Sequence, residues 1–198
     1  GPGHRRVGGY AVRRADTAGW AALDAELDAA ADRVTLQVGP LTGDPVHTRA
    51  PAVTHYAAST MKVAVLAALH RAAAQGAVDL DEPVPVRNRF RSAQPGAAAF
   101  GCTRRGDGDP AVWERIGGTA TPRWLAHRMI TRSSNLATNL LLARVGLPAV
   151  AQVWRLAGAR HSVTARGIED YAARDAGLEN LVTAADLAAL FATVATGA

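Results

Sequence analysis

Cysteine, lysine and aromatic residues are scarce in this 198-residue chain. The single cysteine, Cys102, excludes an internal disulfide and a cysteine-based metal cluster, and we expect it to be a small buried apolar side chain. No stretch approaches the roughly 18 apolar residues of a membrane-spanning helix, so no membrane insertion is predicted. The start of the chain lacks the charged and then apolar pattern of a signal peptide, which leaves the localisation unknown.

Composition and charge narrow the class of protein further. The chain is 48% hydrophobic and 20% charged, as in a globular protein rather than a disordered one. Its net charge is +5, but the arginines are scattered (Arg5-Arg6, Arg13-Arg14 and Arg104-Arg105 among them), and no basic helix face is interleaved with aromatics. We therefore expect a solvated, arginine-rich surface and no nucleic-acid partner.

The residue types that bind metals show no metal-binding pattern. Asp107 and Asp109 are close in sequence, but no bidentate glutamate follows at the spacing of a calcium loop, so a solvated turn is predicted there. The six histidines also lack the spacing of metal ligands: His4, His47, His55, His70, His127 and His161. No metal and no cofactor is predicted.

Hydrophobic periodicity predicts a helix, two strands and then mostly helices. Residues 17–33 predict an amphipathic helix, and residues 34–41 and 53–57 predict strands that pair as a hairpin. Residues 60–75 are apolar almost all round, which is typical of a buried central helix. Residues 83–118 predict loops with short helical pieces. The remaining predicted helices cover residues 122–130, with Thr121 as N-cap, 135–145, 149–156 and 183–194.

The only lysine of the chain is Lys62, since the other 21 basic residues are arginine. Arginine cannot lose its proton in a protein, whereas a lysine near a helix start can become neutral and act as a base. Ser59 lies three residues earlier, where the predicted strand meets the predicted helix. Positions i and i+3 of a helix share one face, so the amine is expected one turn from the hydroxyl. A serine with a base in hydrogen-bond reach is an activated nucleophile.

A second motif lies between two predicted helices, in the stretch Ile130 to Leu142. Ser133 offers a hydroxyl that can relay a proton, and Asn135 offers an amide that can both donate to and accept from a substrate. Taken alone, Ser133-Ser134-Asn135 before an apolar helix is also the pattern of a helix N-cap, which is the commoner role.

Ser59-x-x-Lys62 followed by Ser133-x-Asn135 resembles the class A serine β-lactamase and penicillin-binding-protein superfamily. The family's usual Ser-Asp-Asn appears here as Ser133-Ser134-Asn135. The resemblance extends from Thr17 onward and implies an α+β, two-lobed fold, in which an antiparallel sheet with flanking helices packs against an all-α lobe. We expect residues 1–58 to form the N-terminal helix and hairpin of the α/β lobe and residues 59–198 the all-α lobe. The resemblance also implies an extracytoplasmic location.

The resemblance implies a role for each motif residue. Ser59 corresponds to the acylated nucleophile and Lys62 to its proton acceptor, while Ser133 passes the proton to the leaving group and Asn135 holds the amide of the substrate. The implied partner is a small-molecule acyl substrate: a β-lactam, a peptide or an ester. Two rival interpretations are a ligand-binding or acylatable sensor without turnover, and a non-catalytic fragment. The retained lysine disfavours the second rival.

Two departures from the family pattern bear on turnover and completeness. In the loop predicted over residues 158–180, Glu169 corresponds to the family's general base but stands three residues after Arg166 instead of two. It either positions water for deacylation, or it (or Asp170) ties the loop to Arg166 or Arg174 by a salt bridge. The third family motif, Lys-Thr-Gly, is absent. We therefore expect a fold that lacks its C-terminal strands, or one completed by a second chain or fragment.

Overall fold

The computed structural model describes residues 17–197 of the chain. The first 16 residues of the predicted 1–58 unit, with His4 and the pairs Arg5-Arg6 and Arg13-Arg14, lie outside the described residues, as does Ala198.

Helices dominate the part of the chain that the structure describes. The α-helices are α1 (Thr17–Ala30), α2 (Met61–Ala74), α3 (Pro110–Trp113), α4 (Pro122–Arg132), α5 (Asn135–Val145), α6 (Leu147–Leu156), α7 (Tyr171–Asp175) and α8 (Ala184–Thr196), and a 3-10 turn spans Ala58–Thr60. The strands are β1 (Leu36–Val38), β2 (His47–Arg49), β3 (His55–Tyr56), β4 (Val84–Pro85), β5 (Thr119–Ala120) and β6 (Leu181–Val182). Within residues 17–197 they form three two-stranded antiparallel sheets, β1–β2, β3–β6 and β4–β5.

Helix α2 is the centre of the core, as its nearly continuous apolar sequence predicts. Met61, Val65 and Leu69 are completely buried, and the small residues Ala64 and Ala68 between them are buried as well. The helix packs against α4, α5 and α6. A residue near its N-terminus is therefore held in a rigid frame.

The predicted hairpin between residues 34–41 and 53–57 is wrong. Strand β1 pairs instead with β2, in the register Val38↔His47, and the Val46 N–H donates to the Val38 carbonyl at 2.7 Å. Strand β3 pairs with β6, far along the chain, in the register His55↔Val182.

The physical reason is that β2 is polar and depends on α1 for its partners. His47 stacks on the ring of Trp20, with 4.7 Å between ring centroids, and its Nε2 lies 3.0 Å from Asp24 Oδ1. Arg49 forms an ion pair with Asp28 and donates to the Val34 carbonyl at 2.8 Å. Because its residues are polar, β2 lacks the alternation of apolar and polar residues from which a strand is predicted.

Sequence signals at the helix starts are confirmed. Thr121 caps α4, because its hydroxyl accepts the N–H of Trp124 at 3.1 Å. The predicted helices over residues 135–145 and 183–194 appear as α5 and α8, and the one over 149–156 appears as α6. Helix α6 starts two residues earlier than predicted because Pro148 lies in its first turn, where proline is tolerated.

The last two described elements return to the N-terminal part of the chain. Strand β6 pairs with β3, and α8 packs against β1, with the N–H of Ala185 donating to the Pro51 carbonyl at 3.0 Å. The division of the chain at residue 58 stays a prediction.

No single helix within residues 17–197 has the length and apolar character needed to cross a membrane. Helices α5 and α6 reach that length together, but they meet at an angle of 88°.

Candidate active site

The chain places Ser59 and Lys62 at the start of the central helix. Ser59 lies in the 3-10 turn that joins β3 to α2, and Lys62 is the second residue of α2. Ala58, just before the serine, has φ of +48°, a left-handed conformation that a non-glycine residue rarely adopts and that turns the chain sharply there. Ser59 is exposed, whereas Lys62 is only 2% exposed. The Lys62 Nζ lies 3.2 Å from Ser59 Oγ, as the i to i+3 spacing predicts.

The corner between α4 and α5 brings the second motif to the same place. Ser133 ends α4 with φ of +56°, and Asn135 begins α5. Lys62 Nζ lies 2.9 Å from Ser133 Oγ, 2.7 Å from the Ser133 carbonyl and 2.9 Å from Asn135 Oδ1. The Ser133 hydroxyl in turn lies 3.0 Å from Ser59 Oγ. The structure thus brings Ser59, Lys62, Ser133 and Asn135 into one hydrogen-bonded cluster.

This cluster suits a lysine that exchanges a proton with the two serines. Four oxygen atoms lie within 3.2 Å of the amine, while an ammonium group has three N–H donors. A neutral amine keeps a lone pair for the Ser59 hydroxyl proton. Burial of Lys62 lowers its pKa, and the negative charge of Asp107 opposes this by raising the pKa. Burial is therefore the main cause of the shift, whereas the sequence pointed to the helix N-terminus.

The N-cap interpretation of the Ser133-Ser134-Asn135 motif is confirmed for Ser134, and the functional interpretation of its two neighbours stays a prediction. Ser134 is completely buried and caps α5, because its hydroxyl accepts the N–H of Ala137 at 3.1 Å. Ser133 and Asn135, on either side of the cap, point to Lys62. The capping residue therefore fixes the backbone that presents its two neighbours.

The amide of Asn135 is already engaged on both of its ends. Its oxygen accepts from Lys62 at 2.9 Å, and its nitrogen donates to the Gly106 carbonyl at 3.0 Å. The amide nitrogen carries two N–H groups, so a second donor can reach a ligand. The oxygen's bond to the lysine sets the orientation of the amide.

Glu169 is hydrogen-bonded to a different segment of the chain, at Thr103. Its carboxylate accepts the N–H of Thr103 at 2.7 Å and the hydroxyl of Thr103 at 2.8 Å, and its φ is +64°. No hydrogen bond joins it to Ser59 or Lys62 among the residues that the structure describes. Its role in deacylation stays a prediction.

The alternative salt bridge from Glu169 or Asp170 to a loop arginine is wrong. Arg166 lies 3.7 Å from Glu179, and Arg174 lies 3.3 Å from Asp175. Asp170 is buried, caps α7 and accepts bonds from another segment, the Ser92 hydroxyl and the Ala93 N–H, both at 2.7 Å. The loop is tied down by hydrogen bonds to residues 92, 93 and 103 instead.

The predicted solvated turn at Asp107 and Asp109 is also wrong, because both carboxylates are buried, at 8% and 1% exposed. Asp109 caps α3 and pairs with Arg128, whose Nε donates at 2.7 Å. Asp107 accepts hydrogen bonds from Trp113 and from Ser134 and Leu136, which lie at the corner between α4 and α5 (the motif corner). An N-cap aspartate followed by Pro110 is a helix-start signal that would have indicated order at Asp109. Nothing local in the sequence indicates the partners of Asp107.

The single cysteine behaves as the sequence predicts. Cys102 is buried at 6% exposed, and burial raises the pKa of its thiol to about 12, so the thiol is neutral at neutral pH. Its sulfur accepts the Asn139 amide N–H at 3.1 Å.

No group of three or more histidine, cysteine, aspartate or glutamate residues within residues 17–197 is arranged to hold a metal ion.

Comparison with solved structures shows a shared fold. The chain superimposes on a β-lactamase from Sphaerobacter thermophilus DSM 20745 with a TM-score of 0.68 and 25% identity, over 92% of this chain and 63% of that one. For a β-lactamase from Xanthomonas campestris pv. campestris, the TM-score is 0.70 and the identity 19%, over 90% of this chain and 63% of that one. For PBP-A, the TM-score is 0.64 and the identity 21%, over 89% of this chain and 62% of that one. The chain thus spans less than two thirds of the length of these proteins. No match is found among the curated proteins.

The α+β fold predicted from the two motifs is confirmed by these similarities as the β-lactamase-like fold. The sequence model described as the β-lactamase enzyme family matches residues 20–198, nearly the whole chain. Solved structures of class A β-lactamases and of a penicillin-binding protein are among those it resembles. The chain therefore belongs to the β-lactamase enzyme family, and it shares its fold with class A β-lactamases and PBP-A.

Proposed function

We propose that this chain is a serine hydrolase that forms an acyl-enzyme on an amide, an ester or a β-lactam. The observation that carries the proposal is the contact of one buried amine, Lys62 Nζ, with Ser59 Oγ at 3.2 Å, Ser133 Oγ at 2.9 Å and Asn135 Oδ1 at 2.9 Å. A hydroxyl within reach of a base whose pKa is lowered by burial is the arrangement that nucleophilic catalysis requires.

The proposed reaction assigns each proton to an atom. Neutral Lys62 takes the proton of Ser59 as Oγ attacks the carbonyl carbon, and the backbone N–H of Ser59 donates to the developing oxyanion. Lys62 then returns its proton through the Ser133 hydroxyl to the departing nitrogen or oxygen, which breaks the bond to the leaving group. Asn135 donates its second amide N–H to the carbonyl of the substrate side chain. The product is an ester on Ser59.

Intact-protein mass spectrometry tests the proposal directly. Incubation with penicillin G is expected to add the mass of the whole lactam, and an activated ester is expected to add its acyl group alone. Peptide mapping is expected to locate both adducts on Ser59, and the Ser59→Ala variant is expected to show none. A mass that never changes with either reagent, in a folded sample, contradicts the proposal.

A second candidate, an acylated sensor that does not turn over, is supported by the position of Glu169. Its carboxylate accepts two bonds from Thr103, at 2.7 and 2.8 Å, and among the described residues it makes no hydrogen bond to Ser59 or Lys62. One solved structure of this fold is a PBP-A mutant described as an acyl-enzyme complex with penicillin G; it is 21% identical to this chain. The lifetime of the adduct separates the candidates, because a hydrolase loses the added mass within the assay and a sensor keeps it.

The proposal extends to location. We propose an extracytoplasmic location because of the family. Fractionation of the native cells, followed by mass spectrometry of each fraction, tests this point, and recovery of the protein from the cytoplasmic fraction contradicts it.

A further inference from the structure

One buried carboxylate, Asp107, contacts the motif corner on both sides of Asn135. A single oxygen, Oδ2, accepts the hydroxyl of Ser134 at 3.2 Å and the N–H of Leu136 at 2.9 Å. The same oxygen accepts the indole N–H of Trp113 at 3.1 Å. Oδ1, the other oxygen, accepts the N–H of Asp109 at 3.2 Å. The carboxylate is therefore fully hydrogen-bonded and has one orientation.

We propose that Asp107 is a positioning residue for acylation, which holds the Ser133–Asn135 corner against Lys62 and supplies the negative charge that balances the lysine. This inference rests on the proposed function. Asp107 touches none of the atoms that react, and it acts through the corner and through its charge.

The turn that contains Asp107 fixes the position of Asn135 through two of its residues, Gly106 and Asp107. Asp107 accepts the side-chain hydroxyl of Ser134, before the asparagine, and the backbone N–H of Leu136, after it, and the carbonyl of Gly106 accepts the asparagine's side-chain N–H at 3.0 Å. Two consecutive residues of one turn thus fix both the main chain and the amide of Asn135. Displacement of such a group by 1 Å costs up to about 10²-fold in rate.

Asp107 also balances the charge of Lys62. Its negative charge raises the pKa of Lys62, against the lowering by burial. The other group that acts on the lysine is Cys102, whose own pKa of about 12 keeps it uncharged at neutral pH. Ser59, Ser133 and Asn135, which contact the amine, carry no charge. Loss of the Asp107 charge is therefore expected to lower the pKa of Lys62 further.

The geometry predicts that the carboxylate can be moved to position 134 with retention of function. Ser134 is the N-cap of α5, so Leu136 and Ala137 stand at the second and third positions of the helix. An N-cap side chain accepts bonds from those two N–H groups. In the double variant Asp107→Ser/Ser134→Asp, the carboxylate on the cap can accept the Leu136 N–H, and the new hydroxyl at position 107 can accept the indole N–H of Trp113.

The first experiment is an NMR titration of Lys62. Because Lys62 is the only lysine in the sequence, selective ¹³C labelling of lysine gives one side-chain signal. Titration of this signal by NMR is expected to give a lower pKa for Asp107→Asn than for the unchanged protein, and a pKa near the original for the double variant. Acylation by penicillin G is expected to slow by roughly tenfold to a hundredfold in Asp107→Ser and to recover in the double variant.

Asp186→Asn is the matched control. Asp186 is 6% exposed and also accepts a backbone N–H, from His161 at 3.0 Å, and a serine hydroxyl, from Ser162 at 2.7 Å. Its loss is expected to lower thermal stability without a change in the pKa of Lys62 or in the acylation rate. A purely structural role for Asp107 predicts the same result for both variants.

The outcomes separate this inference from the proposed function. If the unchanged protein is never acylated, the proposed function fails, and the titration still decides the role of Asp107. An unchanged Lys62 pKa in folded Asp107→Asn, or an equal shift in Asp186→Asn, overturns the inference. If Asp107→Asn does not fold, the double variant decides: folding with a near-original Lys62 pKa supports the inference, and failure to fold or a shifted pKa overturns it.

Discussion

Replacement of Lys62 by arginine is the sharpest test of the site. Arginine keeps the positive charge and the hydrogen-bond donors but cannot give up its proton in a protein. In the structure, Lys62 Nζ is the nitrogen base within hydrogen-bond distance of Ser59 Oγ, at 3.2 Å, and the other neighbour of that oxygen is the Ser133 hydroxyl, at 3.0 Å. A hydroxyl is too weak a base to replace the amine. The variant is therefore expected to lose acylation.

The size of the loss follows from the role of the base. General-base catalysis contributes about 10²- to 10⁴-fold, and each tenfold corresponds to about 1.4 kcal/mol, so the barrier is expected to rise by roughly 3–6 kcal/mol. The larger side chain enters a site that is 2% exposed in the unchanged protein. Overpacking of this kind costs about 1–3 kcal/mol of folding stability, which a folded domain can absorb.

The pH dependence of acylation provides a second readout of the same residue. Because burial lowers the pKa of Lys62, the ammonium form loses its proton at a lower pH than an exposed lysine does. The ammonium form cannot accept the serine proton, so the acylation rate of the unchanged protein is expected to rise with pH and to level off above that pKa. The Lys62→Arg variant is expected to show a low rate without this rise.

The assay is the rate of adduct formation with penicillin G, followed by intact-protein mass spectrometry at several pH values, with circular dichroism as the check on folding. Arg71→Lys is the control, since Arg71 lies in the last turn of the same helix and outside the cluster around Ser59. It is expected to acylate at the original rate. A folded Lys62→Arg protein that acylates as fast as the unchanged one would refute the assignment of the base.

Three further substitutions test the neighbouring parts of the structure. Ser133→Ala is expected to slow acylation by about 10²-fold or more with little loss of thermal stability, because the exposed hydroxyl relays a proton; an unchanged rate contradicts the relay. Glu169→Gln is expected to leave the adduct lifetime unchanged, because among the described residues the carboxylate is bonded to Thr103 and not to Ser59 or Lys62; a much longer lifetime would show that Glu169 drives deacylation. Leu69→Ala is expected to lower the free energy of unfolding by about 2–5 kcal/mol in urea, since the side chain is completely buried in α2; a loss below about 1 kcal/mol would argue against a packed core there.

Some tertiary pairings could not be predicted from the sequence because their strands are short and polar. β2 is three residues long and holds its place through the contacts of His47 and Arg49 with α1. β3 has two residues, and its partner β6 follows more than 120 positions later. The sequence predicts β3 as a strand but not its partner, and β2 lacks the alternation by which a strand is recognised, so only the assembled chain selects the partners.

The features of the site that follow from the sequence alone are local. The spacing from Ser59 to Lys62 brings a hydroxyl and an amine to one helix face, and the run of apolar residues after them buries that helix. The pattern around Thr121 and Ser134 sets two helix starts, and these place Ser133 and Asn135 at a corner. Each of these results depends on residues within a few positions of one another.

The other features of the site depend on contacts between residues far apart in the sequence. Burial of Lys62 among other helices lowers its pKa, and the bonds from Thr103 hold the carboxylate of Glu169. Asp107 is buried beneath the motif corner although its local sequence predicts a solvated turn. The physical reason is common to all three: the environment of a charged group depends on which distant segments exclude water from it and donate hydrogen bonds to it, and no local pattern encodes those partners.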